Sequence, residues 1–555
     1  MIQPDPSRSD HNRPLSSNPA LGERGRSSFE SGPGDGNETD AADDEPRGVA
    51  AWAWWWLPPL LVGTLILGPA LNPSQQFGFR DAAHFYYPLH ERIQREWSAG
   101  RIPLWEPEEN GGMPLLGNPT AAVLYPLKIL FFVAPFPLAS KLYAVGHVLG
   151  AYLALFALAR GLRISHPSAA VGGLSYAFGA PVLFQIFNIV FLVGAAWLPL
   201  GFLGIDLWVR RGRRGGLVIL SLSLAMQTLG GDPQAAYLTG LCGVAYALAL
   251  SRAERRARER GSADPHFQPH AGLRILANGL IVPLGLAFWV GTTLGLAAWL
   301  PSLRPVSLKP ELPEPLLPPE FRFLLIAAWV VLALGVLFSW RRLSQPRPAR
   351  RRVIGLALAG GTAALLTSAQ LLPVLEFSRL TVRAARVGPH DVYPFSLPPY
   401  QVFETMWPQV LGRSYSEPHA PILDLTPPSS KKIWNHSYYL AAAVVALALG
   451  GLAWGRGESW RVGLSWMALI ATLAALGEYS GPLWWARMTP WGEATFGPHD
   501  PDPPPPIRLD GQLRDGDGGL YWALAKGLPG FGSFRYPAKL FGLTCLAVAV
   551  LAASS

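Results

Sequence analysis

Residues 217–260 read LVILSLSLAMQTLGGDPQAAYLTGLCGVAYALALSRAERRARER. Two short apolar segments, 217–229 and 235–250, flank the polar turn Gly230-Gly231-Asp232-Pro233-Gln234. Five arginines follow: Arg252, Arg255, Arg256, Arg258 and Arg260. Apolar runs that return through a brief polar turn and then meet a basic block read as a pair of membrane helices. The arginines mark the cytoplasmic end, because translocating clustered guanidinium groups is costly. Asp232 and Gln234 then fall at the opposite, outer turn.

The same alternation extends in both directions. The chain has 555 residues, 50% of them hydrophobic and only 15% charged, against about 25% charged in soluble domains. Apolar segments of about 20 residues recur along its length. Arginine clusters near 160, 210, 255, 345 and 456 occupy alternate connections, and large polar loops occupy the others. The net charge of +9 therefore sets orientation rather than marking a nucleic-acid surface. The expected fold is an all-α polytopic membrane protein with about 12 transmembrane helices and large extracytoplasmic loops. Residues 1–48, rich in Ser, Gly, Pro and Asp, cannot bury enough apolar surface to fold and read as a disordered cytoplasmic tail. Residues 50–372 form the N-terminal transmembrane region, with a first outside loop at 72–134. A second outside loop at 373–434, a transmembrane pair at 435–476, a third outside loop at 477–537 and a final apolar segment at 538–555 complete the order. Because that last segment has no closing charged flank, the sequence reads as a possible fragment of a longer protein. Residues 121–134 are apolar but short and bracketed by proline, which predicts a re-entrant or interfacial stretch.

The first loop carries the candidate chemistry, since loops rich in ordered aromatic and charged groups carry function. Asp81 lies about 10 residues beyond the first apolar segment. A carboxylate there can act as general base toward a hydroxyl, and partial desolvation raises its pKa toward a useful range. The plainer reading pairs it with Arg80 or Arg92. His84, at i+3, shares a face with Asp81 if the segment is helical. Trp105 and Glu106 precede the Gly111-Gly112 turn. They form either a sugar-stacking rim or an interfacial anchor. Asp232 and Gln234 sit at a helix break, where a buried acid in a membrane usually serves function and an ordinary Asp-Pro turn is the simpler account. Arg535 and Lys539 lie where the third loop re-enters the membrane; they either hold a phosphate or snorkel. Glu376 and Arg379 read as a local ion pair. Cys242 and Cys545 have no metal-ligand spacing and read as packing residues. The sequence has no P-loop, dinucleotide glycine pattern, HExxH, CxxC or GxSxG motif, so nucleotide, zinc-protease and serine-hydrolase chemistry is unsupported.

Five pieces occur in order: RDAAHFYYP, GRIPLWEPEENGGMPLLGNPTAAVLYP, LGGDPQAAY, LLPVLEFSRLTVRA and FRYPAK. Together they resemble the YfhO family of bacterial membrane proteins, itself similar to polytopic glycosyltransferases of the GT-C type. The resemblance implies an enzyme of the bacterial cytoplasmic membrane with its N-terminus in the cytoplasm. It implies transfer of a sugar from a polyprenyl-phosphate-linked donor to a glycan or envelope-polymer acceptor on the outer face, among membrane lipids and without nucleic acid. An acid of the first outside loop is essential in such enzymes, and Asp81 is the matching position. Many relatives carry two neighbouring acids there. Here Asp81 is followed by Ala82, Ala83 and His84, so a divalent metal is an open alternative with no ligand set to assign. A transporter or flippase of lipid-linked glycan, and a non-catalytic envelope assembly factor, are the competing readings.

Overall fold

The computed structural model describes residues 49–109, 111–259, 348–378, 380–381, 392–408, 434–454, 459–496 and 516–555. The tail at 1–48, the expected spans at 276–300 and 323–340, Arg379, most of the second outside loop and residues 497–515 of the third lie outside the described residues. What is described is largely helical. The main helices are α1 (Val49–Leu71), α2 (Tyr87–Ser98), α3 (Phe136–Gly161), α4 (His166–Ala177), α5 (Ile189–Val209), α6 (Gly215–Leu229), α7 (Pro233–Glu259), α8 (Pro348–Leu366), α9 (Ser368–Ser378), α10 (Ala442–Trp454), α11 (Ser459–Ala475), α12 (Leu520–Gly527) and α13 (Phe541–Ala553). The only sheet among the described residues is a two-stranded ribbon that pairs Trp105–Glu106 with Met113–Pro114 antiparallel.

Four helical segments are long and apolar enough to cross a membrane: Ala53–Leu71, Phe136–Gly161, Ile189–Val209 and Pro233–Arg255. Two bent pairs, His166–Ala177 with Ala180–Phe187 and Ala349–Leu366 with Ser368–Ser378, raise the number to six. The chain therefore has the make-up of an all-α membrane protein. The expected count of about 12 is not reached among the described residues. Gly215–Leu229, Ala442–Gly451, Trp460–Ala475 and Pro537–Ala553 are apolar but shorter than a full crossing. The first bend, 51°, falls at Gly179-Ala180-Pro181, where proline removes a backbone donor. The polar residues Gln185 and Asn188 lie just beyond it.

The helices pack around α13, most of whose side chains are buried. It contacts α4, α10 and α11, while α3, α5, α6 and α7 pack in sequence and α8 closes on α6 and α7. Helix α1 behaves differently. Leu57 and Leu65 remain 64% and 71% exposed. An apolar helix with such an unpartnered face fits hydrocarbon rather than water.

The arginine-bearing ends of these helices meet. Arg211 donates to the Gly161 carbonyl. Arg352 reaches Ser251, Glu254 and the Val209 carbonyl at 2.8–3.0 Å. Arg461 donates to the Ser554 carbonyl at 2.9 Å. Helix α1 lies with Trp55 against Phe156 (5.1 Å between centroids), toward the same end. At its other end, Lys141 caps the Asn72 carbonyl at 2.6 Å. The bundle thus has one arginine-bearing end and one loop-bearing end.

The expected non-spanning stretch at 121–134 is broken into short turns, with 3-10 turns at Pro119–Ala121 and Pro126–Ile129 and a single helical turn at Leu130–Val133.

Candidate functional site

The Gly230-Gly231-Asp232 turn is wedged into the loop-bearing end. Gly231 has φ +92°, a left-handed conformation, and a Cβ there would lie 2.7 Å from the Pro119 carbonyl oxygen. Only glycine fits both demands without strain. Behind it, Gln227 accepts from the Asp232 backbone N–H at 2.9 Å and donates to the Gly194 carbonyl at 3.2 Å. Asp232 itself is 1% exposed. Its Oδ1 accepts from the Ala235 backbone N–H at 2.9 Å and from Lys539 Nζ. Its Oδ2 is buried with no hydrogen-bond partner and sits where a Cβ on Gly194 of α5 would lie, 2.1 Å away. An acid thus closes the start of α7, and a lysine from the entry to α13 neutralises it. Desolvating both charges is tolerable only because they meet.

Aromatic rings wall this pair. Lys539 Nζ stands 4.3 Å from the centre of the Phe191 ring. Phe191 packs against Tyr536 at 5.4 Å and Trp434 at 5.9 Å. Tyr536 stacks on Phe395 at 4.9 Å. Arg535 lies over the Tyr536 ring, 5.6 Å from its centre, with its Nε buried and unpartnered. Gln234, 4% exposed, likewise keeps a buried Nε2 with no partner.

The first loop joins the cluster through a strained turn. Arg80 takes φ +52°, rare outside glycine. A π-turn over Ala82–Tyr86 follows, preceded by Asp81, whose side chain makes no capping hydrogen bond, and running into α2. Single π-turns and strained residues gather at functional sites. Asp81 and His84 are both exposed there. The wider turn replaces the α-helical i, i+3 alignment expected for the two. Tyr86, at the end of the π-turn, is buried, and its hydroxyl is pushed well up, first by burial and then by the charges of Asp81, Tyr536 and Asp232. Those three groups therefore all lie near the Tyr86 hydroxyl. His436 adds a further wall, edge-on to Phe79 at 4.7 Å and to Phe184 at 5.8 Å. Burial, aided by the nearby Arg80, lowers its pKa to about 4.

The structure therefore brings together Asp81, Asp232, Gln234, Arg535 and Lys539. It does not bring in Trp105 or Glu106. Glu106 is 7% exposed and accepts from the Glu108 backbone N–H at 3.0 Å, with Arg92 at 3.7 Å. Arg92 also binds Glu96 at 2.9 Å, so it is engaged within the loop rather than with Asp81. Trp105, 53% exposed, lies across Gly112. These two residues hold the hairpin. Sequence reasoning missed Tyr86, Phe191, Trp434, His436 and Tyr536. Their apolar neighbours hide them, and only the RDAAHFYYP and FRYPAK pieces carried a signal, for Tyr86 and Tyr536.

Beneath the cluster lies a second set of buried polar groups. Lys128 is 0% exposed with no partner for Nζ, and His90 is 3% exposed with none for Nε2. Burial drives both toward their neutral forms, and for His90 the neighbouring Lys128 adds to it. Among the described residues, no group of three or more His, Cys, Asp or Glu side chains is placed to hold a metal. Comparison of the chain with family models, curated proteins and solved structures finds no match.

Proposed function

We propose that the chain is a membrane-embedded glycosyltransferase of the YfhO and GT-C kind. It moves a sugar from a polyprenyl-phosphate donor to a hydroxyl of a cell-envelope acceptor on the outer face of the cytoplasmic membrane. The arginine-bearing end then faces the cytoplasm. One observation carries the reading: an exposed carboxylate, Asp81, stands on a strained π-turn beside a buried cluster with unpartnered cationic and amide donors. In this scheme Asp81 takes the proton from the acceptor hydroxyl as its oxygen attacks the anomeric carbon. The bond to the polyprenyl phosphate breaks, and the phosphate leaves as an anion. Arg535 Nε and Gln234 Nε2 are the free donors toward that developing charge, with Lys539 holding Asp232 in place. Tyr536 and Phe191 supply the apolar wall for the sugar or prenyl group.

The test is transfer from polyprenyl-phosphate sugars by the full chain in detergent. Asp81→Asn should lose about 10²- to 10⁴-fold in rate, while Glu91→Gln and Glu106→Gln lose far less. Near-normal transfer by Asp81→Asn would refute the assignment of the base. A second reading, a transporter or flippase of lipid-linked glycan, is favoured by the buried Asp232–Lys539 pair itself. Ionisable groups of that kind often line substrate paths. It gains if lipid-linked sugar crosses proteoliposomes while no transfer occurs.

A further inference from the structure

A cavity of about 520 Å³ lies in the membrane-spanning part of the bundle, lined by side chains of α3, α5, α7 and α11 and closed by Leu540 and Leu543. Its size is that of ligand pockets, roughly 300–1,000 Å³, and its wall is almost wholly apolar, from Leu158 and Phe202 to Leu241 and Ile470. Ala245 and Ala249, one turn apart on α7, are exposed onto it. Such a wall suits a hydrocarbon chain.

The charged residue of the lining is Asp206, at the arginine-bearing end. It pairs with both Arg210 at 2.7 Å and Arg211 at 3.4 Å. The pKa of Arg211 is lowered by desolvation first, against the pull of Asp206, with Arg210, Arg213 and Arg163 adding repulsion, and Arg211 reaches the Gly161 carbonyl, two residues from Arg163. On the opposite rim, Arg461 stands beside the cavity-lining Trp460, 5.3 Å from its ring. The other acid at this end, Glu254, is held by two nitrogens of Arg352 at 2.7 and 2.9 Å. Among the described residues, the rim therefore carries more guanidinium charge than its carboxylates balance, beside an apolar chamber.

We propose that this cavity takes an acyl chain of an anionic membrane phospholipid, with its phosphate held at the rim by Arg163, Arg211 and Arg213. The site lies apart from Asp81 and the Asp232–Lys539 pair and does not depend on the transferase reading. A phosphate at a basic rim gains charge-assisted hydrogen bonds, and the chain gains from burial of its methylenes. A zwitterionic lipid keeps the second gain and loses most of the first.

The test uses the full chain in detergent, with its melting temperature followed as phosphatidylglycerol or phosphatidylcholine is added to mixed micelles. Phosphatidylglycerol should raise the melting temperature by several degrees through preferential binding to the folded state, and phosphatidylcholine much less. The double variant Arg163→Gln/Arg213→Gln changes two exposed side chains. It should weaken the apparent phosphatidylglycerol affinity about tenfold. Ala249→Trp obstructs the chamber beside the rim and leaves the arginines, and it should reduce the protection with the rim intact. Equal protection by the two lipids would overturn the phosphate assignment. Undiminished protection in Ala249→Trp would show that no chain enters. No protection by either lipid would overturn the proposal.

Discussion

At the residue scale, the Asp232–Lys539 pair decides most. Asp232→Asn removes the counter-charge of a lysine whose side chain is 9% exposed. Such a half-broken buried pair should destabilise the fold by about 3–5 kcal/mol. The double variant Asp232→Asn/Lys539→Met should recover much of that loss, measured by thermal unfolding in detergent. No recovery would mean that the pair is not coupled as drawn. Lys128 presents the opposite case. Its amine is buried without a partner, over the rings of Phe131 at 5.5 Å and Tyr143 at 5.8 Å. Lys128→Met keeps the stem and removes the desolvated amine. It should leave stability unchanged or raise it by about 1–3 kcal/mol, and a large loss would point to a partner for the amine. Glu404, 3% exposed, has its carboxyl raised to about 7 by burial, moderated by the Tyr438 backbone N–H. Its folded pKa lies above the unfolded value, so the folded state holds the extra proton between about pH 4.5 and 7. That contribution to stability is lost as pH rises through 7. Glu404→Gln should therefore gain on the wild type at pH 8 relative to pH 5. A difference that is constant with pH would show that Glu404 does not titrate in this window.

At the element scale, the breaks matter more than the helices. The bend at Gly179–Pro181, the π-turn at Ala82–Tyr86 and the 83° bend between α8 and α9 all place polar groups around the same turn. From the last of these, Gln370 accepts from the Leu124 backbone N–H at 3.2 Å and donates toward the Leu229 carbonyl at 3.5 Å. It thereby ties the first loop to the end of α6. The approach of α5 to Asp232 gives a test that changes no charge. A Cβ on Gly194 would meet Asp232 Oδ2 at 2.1 Å. Gly194→Ala should displace the carboxylate and destabilise by about 1–3 kcal/mol through overpacking. Gly360→Ala, with nothing within 4 Å of its Cβ, should instead stabilise α8 by about 0.5–1 kcal/mol. If the two variants behaved alike, the wedge at Asp232 would be disproved.

At the scale of the whole molecule, the two ends of the bundle should face opposite sides of a membrane. With Cys242 and Cys545 replaced by alanine, single cysteines at exposed Arg213 and Ser74 report one end each. In spheroplasts, a membrane-impermeant maleimide should label the cysteine at 74 and spare that at 213. Labelling both in intact cells would break the two-ended arrangement, and the reversed pattern would invert the orientation.

The class of the protein was legible in the chain. Apolar period, low charge and arginine spacing are local and additive, so they survive without any knowledge of packing. Asp232 at a helix break and Lys539 at a re-entry point were also legible, because a charge beside hydrocarbon stands out in a sequence. Their pairing was not: a separation of 307 positions carries no local signal, and only the docking of the α13 entry against the start of α7 brings them together. The same holds for Glu106. Its neighbours Trp105, Gly111 and Gly112 suggest a binding rim, but the fold of the first loop turns its carboxylate toward Arg92 instead. Tyr86 and His436 read as ordinary aromatic positions until the strained turn at Arg80 sets Tyr86 near the acids and Phe79 against His436. What composition and spacing determined was the solvent each segment prefers. What the tertiary structure alone decided was which polar groups share a desolvated site, because that depends on long-range approach and on the few glycines that permit it.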